Sequence, residues 1–416
     1  MTLVGLPLHS PIRSPYYAPQ ADKFAAALYL GQVATNCTIP SSRSTTNKQA
    51  NARTVHIARD TISSLKIELC NWCWLRSGVG PETAGGGNIT YSASIEYPAG
   101  TFTQVLWSGA ATKVVASNAV ALSDAVNVNI PNGTTFWVRT YANAVTAIVF
   151  TEGNTGYEQR NLAGGEAYEY AASGITDKTM GGTIVDVGAA AAPIFRPTAI
   201  VAQTRNPSVL ILGDSRDWGF TDTHDSSGDL GDIARSIGPA YGYINAACAG
   251  DTLSAFITAH TQRAALQQYV SHVVFGDPIN ALRSGGSGQN QSAATTLGQL
   301  QTILGYFPTK RCLTTTTGGP NTTSTDSWAT VANQTINANN AEIAAYNTAI
   351  RAGVANSVGY FDIMSAVESS SASGKWWVTG VASATTTDGL HSTQAGYLRI
   401  KNSGAIDPNR ISRAGL

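Results

Sequence analysis

Short alternating runs fill the first half of the chain, and continuous apolar runs separated by helix-length stretches fill the second. Ile89-Thr-Tyr-Ser-Ala-Ser-Ile-Glu-Tyr97 and Ala125-Val-Asn-Val-Asn-Ile130 alternate with period two. The turn signal Pro131-Asn-Gly133 leads into Thr134–Tyr141, and Ala144–Phe150 follows. Half-buried strands alternate in this way, and short strands broken by Gly, Pro and Asn predict an all-β sandwich or jelly-roll-like domain over 56–187. Residues 1–55 are rich in Pro, Ser, Thr and Asn and read as an arm or linker, with one short helix about Ala21 to Val33. A small-residue connector, 188–205, opens with Gly188-Ala-Ala-Ala-Ala-Pro193.

After the connector the texture changes. Ser208-Val-Leu-Ile-Leu212 is apolar throughout, as expected of a strand covered on both faces. His272–Phe275, Arg311–Thr315 and Gly359–Ile363 are further strand candidates. Helical stretches near Leu253–Tyr269, Ala293–Tyr306 and Asn340–Arg351 lie between them. Alternating β and α units predict a parallel sheet covered by helices over 206–416. No internal repeat is present.

Composition narrows the function classes. Only 12% of the 416 residues are charged, and Lys+Arg and Asp+Glu both number 26. A formal net charge of zero argues against a nucleic-acid partner, which normally needs a basic face. Its polar surface must come from Thr, Ser, Asn, Gln and Gly, a texture common in β-rich extracellular and virion proteins. No apolar run is long enough to span a membrane, and Met1–His9 carries no basic region of a secretory signal. Five cysteines at irregular spacing imply no disulfide framework. Cys70-Asn-Trp-Cys73 falls in a strand-like stretch, and no second CxxC completes a metal cage, so two half-buried free thiols are expected. Trp72, Trp74, Trp107 and Trp137 are expected as core or edge packing, with sugar stacking as the other reading.

Three separated pieces carry candidate chemistry. Gly213-Asp-Ser215 follows directly on the apolar strand, where open α/β sheets bind ligands. A serine there needs a base, and Asp388-Gly-Leu-His391 supplies one. An Asp three residues before a His can fold back to accept its Nδ1–H, leaving Nε2 to take the serine proton. Asn245-Ala-Ala-Cys-Ala-Gly-Asp-Thr252 presents Gly250, whose N–H can approach a substrate closely. Asn280, after the strand His272–Phe275, can offer a side-chain amide. Taken singly, each piece also reads as a turn or helix cap.

Together they resemble the SGNH (GDSL-type) hydrolase superfamily over about Asn206 to Asn402. Gly213-Asp-Ser215 is similar to block I, Gly250 to the block II glycine, and Asp388-Gly-Leu-His391 with the following Gly396-Tyr397 to block V. Block III departs: Pro278-Ile-Asn280-Ala281 keeps the Asn of Gly-x-Asn-Asp but has Pro for Gly and Ala for Asp. A second register puts Gly276 at the Gly position and loses the Asn. The resemblance implies a flavodoxin-like three-layer α/β/α fold and ester hydrolysis through an acyl-enzyme, with no metal or cofactor. It implies Ser215 as nucleophile, His391 as base and Asp388 as its orienting acid. The oxyanion hole would be the Ser215 and Gly250 N–H groups and the Asn280 amide. Asp214 and Trp328 are candidate substrate contacts, the latter from the loop Thr314–Trp328.

No long apolar lid is evident, so small acyl groups, O-acetyl foremost, on carbohydrate are expected rather than lipid. An extracellular texture without a signal suggests a phage tail or spike esterase, assembled inside the cell and acting outside it. Its partners would be an acetylated glycan, other virion proteins or further copies of itself. Three rivals stay open: an inactive glycan-binding or structural virion protein on the same fold, a bacterial secreted or cytoplasmic esterase, and a thiol enzyme built on Cys248.

Overall fold

Two large antiparallel sheets, one parallel sheet and three two-stranded antiparallel ribbons are present in the computed structural model, which describes residues 26–75, 82–152, 160–186, 193–224, 227–286 and 288–412. Ile62–Cys70 is the hub of the first antiparallel sheet. It pairs with Ala199–Thr204, Val120–Leu122 and Val126–Ile130, and Ala199–Thr204 pairs on with Tyr29–Gln32. The second sheet runs Lys113–Val115, Ile89–Glu96, Thr135–Ala144, Gln49–Ile57 and Ala167–Ala171, with Phe102–Gln104 also on Ile89–Glu96. Ile67 and Leu69 of one sheet share a core with Tyr91, Phe136 and Val138 of the other. The Tyr91 hydroxyl, buried in that core, donates to Cys70 O at 2.9 Å.

Several expectations change here. From residue 26 the supposed arm holds the strands Tyr29–Gln32, Cys37–Thr38, Ser42–Ser44 and Gln49–Ile57. Residues 1–25, with the start of the helix expected about Ala21, lie outside the described residues, and Tyr29–Gln32 is strand. Ladder bonds to Ala199–Thr204 prevail there over local helical preference. The connector 188–205 likewise ends in a sheet strand, Ala199–Thr204, while 187–192 are outside the described residues. Cys70 and Cys73 are fully buried rather than half-buried, because Asn71 separates two strands that both pack inward. Burial pushes the Cys70 thiol up and the Cys73 thiol to about 12. Trp72, Trp74 and Trp107 are buried. Trp137 is half-buried beneath the Arg53 guanidinium, its Nε1–H donating to Gly164 O at 2.8 Å.

The parallel sheet has the order Cys37–Thr38, Gly242–Asn245, Ser208–Leu212, His272–Phe275, Arg311–Thr315, Gly359–Phe361. Its first strand comes from the start of the chain. The other five take the doubly wound order in which the strand earliest in sequence lies inside the second. Alternate residues of one strand feed different cores. Leu210 and Leu212 pack with Leu253, Phe256, Leu300 and Tyr346. Val209 and Ile211 pack with Ile233, Ile237, Val367 and Ile400. Helices therefore cover both faces. The core on the Leu210 side is continuous with that of the antiparallel sheets, so the two halves share apolar burial. Across the same junction the Tyr269 hydroxyl donates to Glu68 Oε2 at 2.7 Å. Among the described residues no helix is long and apolar enough to cross a membrane.

Candidate active site

The strand Ser208–Leu212 is wholly buried and ends at Gly213. Asp214 then caps a four-residue helix, Ser215–Trp218, its Oδ1 accepting from Arg216 N at 3.0 Å. Ser215 is the first residue of that helix, so its own N–H has no acceptor within it. His391 Nε2 lies 2.8 Å from Ser215 Oγ. His391 Nδ1 lies 2.6 Å from Asp388 Oδ2. The other Asp388 oxygen accepts the Leu390 and His391 N–H groups at 2.9 and 2.8 Å, which folds Asp-Gly-Leu-His into one tight turn. Phe220 meets the imidazole edge-on with ring centroids 4.3 Å apart. Buried Tyr397, in the helix Gln394–Ser403, donates its hydroxyl to Phe220 O at 2.7 Å and so steadies that contact.

With Nδ1–H given to the carboxylate, Nε2 is left to take the Ser215 proton. Burial pushes Asp388 up, but the His391 hydrogen bond and charge, with the two backbone donors, bring it down to about 2. Burial lowers His391 below its ordinary value; the Asp388 contact opposes this, while the Arg216 and Arg283 charges reinforce it. An imidazole can act as a base only when neutral. The acid limb of kcat/KM should therefore fall below the free-histidine value of 6.5. A pH profile on a neutral ester checks this, and a midpoint above 7 would contradict the described surroundings of His391.

Gly250 has φ +85°, a backbone that side chains rarely adopt, and it is exposed with open space where a Cβ would stand. Its loop is tied to the serine turn by Cys248 N donating to Gly213 O at 3.1 Å. Asn280 stands between the two motifs. Its Nδ2 donates to Asp214 Oδ2 at 3.0 Å and to Asp251 O at 3.1 Å, and its Oδ1 accepts from Arg283 Nε at 3.0 Å. Both amide hydrogens are engaged, so an oxyanion would have to displace one of these acceptors. That qualifies the expected oxyanion role of Asn280.

Beneath the serine lies a charge cluster that sequence reasoning missed. Arg216 is fully buried, with Nε 3.3 Å from Asp232 and 3.6 Å from Asp277. It donates to Leu390 O at 3.2 Å, to Ser392 Oγ at 3.1 Å and to Gly318 O, so it holds the loop on both sides of His391. The Asp217 carboxyl fills the space that a Cβ on Gly213 or Gly276 would take, and its Oδ2 accepts from Asp277 N at 2.9 Å. Burial, and the negative charge of Asp232, push Asp217 well above the usual carboxylate range. Asp214, Asp217, Asp232 and Asp277, all buried, lie about this one guanidinium, and burial pushes each of their carboxyls above the usual carboxylate range.

The remaining candidates fall as follows. Asp214 is buried, with one oxygen accepting from Arg216 N and the other from Asn280 Nδ2, so it caps the helix and bridges to Asn280. Trp328 sits against Gly389, two residues before His391, with its Nε1–H donating to Thr322 Oγ1 at 2.9 Å. Burial pushes the Cys248 thiol well above its ordinary value, which disfavours a thiolate nucleophile there. The only hint of Arg216 was its place next to the serine. Its acidic partners are scattered along the chain.

No family model and no curated protein matches the sequence. Solved structures do. One is named as a GDSL-like lipase from Parabacteroides merdae: 11% identity, 50% of this chain, 96% of that chain, TM-score 0.33. A family two carbohydrate esterase from Clostridium thermocellum, in complex with cellohexaose, is similar at 10% identity over 91% of this chain and 96% of that one, TM-score 0.31. A catalytic mutant of an acetylxylan esterase from Geobacillus stearothermophilus is similar at 14% identity over 49% of this chain and 94% of that one, TM-score 0.32. GDSL-like lipases and carbohydrate esterases are thus among the structures this chain is similar to. At such TM-scores the functional reading rests on the site itself.

Proposed function

We propose that the chain is a serine ester hydrolase of the SGNH (GDSL-type) kind that removes small acyl groups, O-acetyl foremost, from carbohydrate. One observation carries the reading: Ser215, His391 and Asp388 form a single hydrogen-bonded line at the carboxyl end of a central parallel strand. Ser215 Oγ attacks the ester carbonyl while His391 Nε2 takes its proton. The Ser215 and Gly250 N–H groups hold the oxyanion, with Asn280 able to join them only by giving up Asp214 or Asp251 O. His391 then returns the proton to the leaving alcohol, and water repeats the sequence on the acyl-enzyme. His391 is partly exposed and Gly250 exposed, which suits an acyl group on a bulky alcohol better than a long acyl chain. The hydroxyl-rich, weakly charged surface favours a glycan as that alcohol.

The experiment is acetate release from acetylated xylan and from an O-acetylated bacterial surface glycan. Wild type should release acetate from at least one, and Ser215→Ala from neither. Activity on long-chain acyl esters alone would overturn the small-acyl part of the reading.

The setting we propose is a virion, assembled in a reducing cytoplasm and acting outside. All five cysteines are buried free thiols, as that order of events requires. Mass spectrometry of purified particles tests it, and absence of the polypeptide would refute it. One observation favours a second reading, a weak or inactive glycan-binding module: the engagement of both Asn280 amide hydrogens. A fluorophosphonate that fails to label Ser215 would select that reading.

A further inference from the structure

Arg263 lies in the short helix Thr261–Ala265 and is fully buried between two carboxylates. Its NH1 donates to Asp251 Oδ2 at 2.5 Å, and its Nε is 3.4 Å from Glu82 Oε1. Glu82 belongs to the β-rich half, in the strand Glu82–Ala84 paired with Trp72–Trp74. The same carboxylate also receives the backbone of that helix, Gln262 N on Oε2 at 2.6 Å and Arg263 N on Oε1 at 2.7 Å. One residue of the first half thus fixes both the start and the buried cation of a helix in the second.

The other partner, Asp251, directly follows Gly250. Its Oδ1 accepts from Thr252 N at 2.9 Å, its N–H donates to Cys248 O at 3.0 Å, and its carbonyl accepts from Asn280 at 3.1 Å. The backbone on the far side of Gly250 is therefore held by a carboxylate that Arg263 holds in turn. We infer that Glu82 and Arg263 are positioning residues, through which the β-rich half sets the aim of the Gly250 N–H. This rests on the esterase reading, in which that N–H binds the oxyanion. Oxyanion donors stabilise charge only within a narrow range of distance, so a small displacement of the loop lowers kcat and leaves ground-state binding nearly untouched. A residue that merely joined the two halves would affect stability and not the rate per active site.

The test compares Glu82→Ala and Glu82→Gln with Tyr269→Phe, which removes a different bond across the same junction. kcat and KM on 4-nitrophenyl acetate are divided by the active sites that a fluorophosphonate titrates. Glu82→Ala should lose about tenfold in kcat per site with KM unchanged within about twofold. Glu82→Gln, whose single amide oxygen can still accept one of the two N–H groups, should lose less, and it decides the matter if the alanine variant does not fold. Tyr269→Phe should lower Tm and leave kcat per site alone. Unchanged kcat per site in the Glu82 variants, or an equal fall in Tyr269→Phe, overturns the inference alone. A wild type that neither turns over nor labels Ser215 overturns the esterase reading, and the inference with it.

Discussion

Ser215→Ala and His391→Ala should each lower kcat/KM on 4-nitrophenyl acetate by about 10⁴-fold or more, with the double variant scarcely worse than either. In the proposed reaction the two side chains act as one device, because the 2.8 Å contact would be the route by which the attacking oxygen loses its proton. Without the hydroxyl there is nothing to acylate; without the imidazole the hydroxyl keeps its proton. Residual rate above background then measures what the Gly250 and Ser215 N–H groups do for a water nucleophile. The measurement is steady-state kinetics at known protein concentration, alongside thermal denaturation to show both variants folded. Equal slow turnover by wild type and both variants would mean that the activated ester has met no real site.

The second large effect is on stability. Arg216→Leu should cost about 3–5 kcal/mol, because it strips the cation from buried Asp232 and Asp277 and leaves their charge unpaired. It also leaves Leu390 O and Ser392 Oγ without their donor on either side of His391. Chemical denaturation should show the loss, with a Tm lower by roughly 3–6 °C. Arg216→Lys keeps the charge but cannot span two carboxylates and the carbonyls together. It should retain most of the fold while loosening the histidine turn. If Arg216→Leu unfolds at the wild-type midpoint, the carboxyls have been neutral throughout and the arginine is a spacer.

Legibility in the sequence tracked the range over which each feature is encoded. Ser208–Leu212 stands where its apolar run puts it, because a strand buried on two faces needs no alternation and no partner to be recognised, and His272–Phe275 and Arg311–Thr315 are strands as expected. Asp388 and His391 were legible as a pair because three residues suffice to close their turn. The edge strand Cys37–Thr38 was not, since two residues carry no period and its existence depends on Ile244 and Asn245 far along the chain. Tyr29–Gln32 reads locally as helix and is strand for the same reason. Arg216 and its carboxyls illustrate the limit most clearly. Nothing in Gly-Asp-Ser-Arg says that the arginine turns inward, or that Asp232 and Asp277 come to meet it from separate segments. The same holds for Glu82, whose partners Arg263 and Asp251 belong to the other half.

The strand Cys37–Thr38 also bears on how the molecule can be divided. It is made early in synthesis, yet it pairs only once Gly242–Asn245 has followed it from the ribosome, so closing the sheet is a late, long-range event. Until then, or in a fragment begun at the connector, Gly242–Asn245 offers a bare row of amide and carbonyl groups along its outer side. Such a row is a template on which a second chain can add. The second half is accordingly not portable: expressed alone it would tend to self-associate, and the cap that prevents this is the very stretch that composition would invite one to trim.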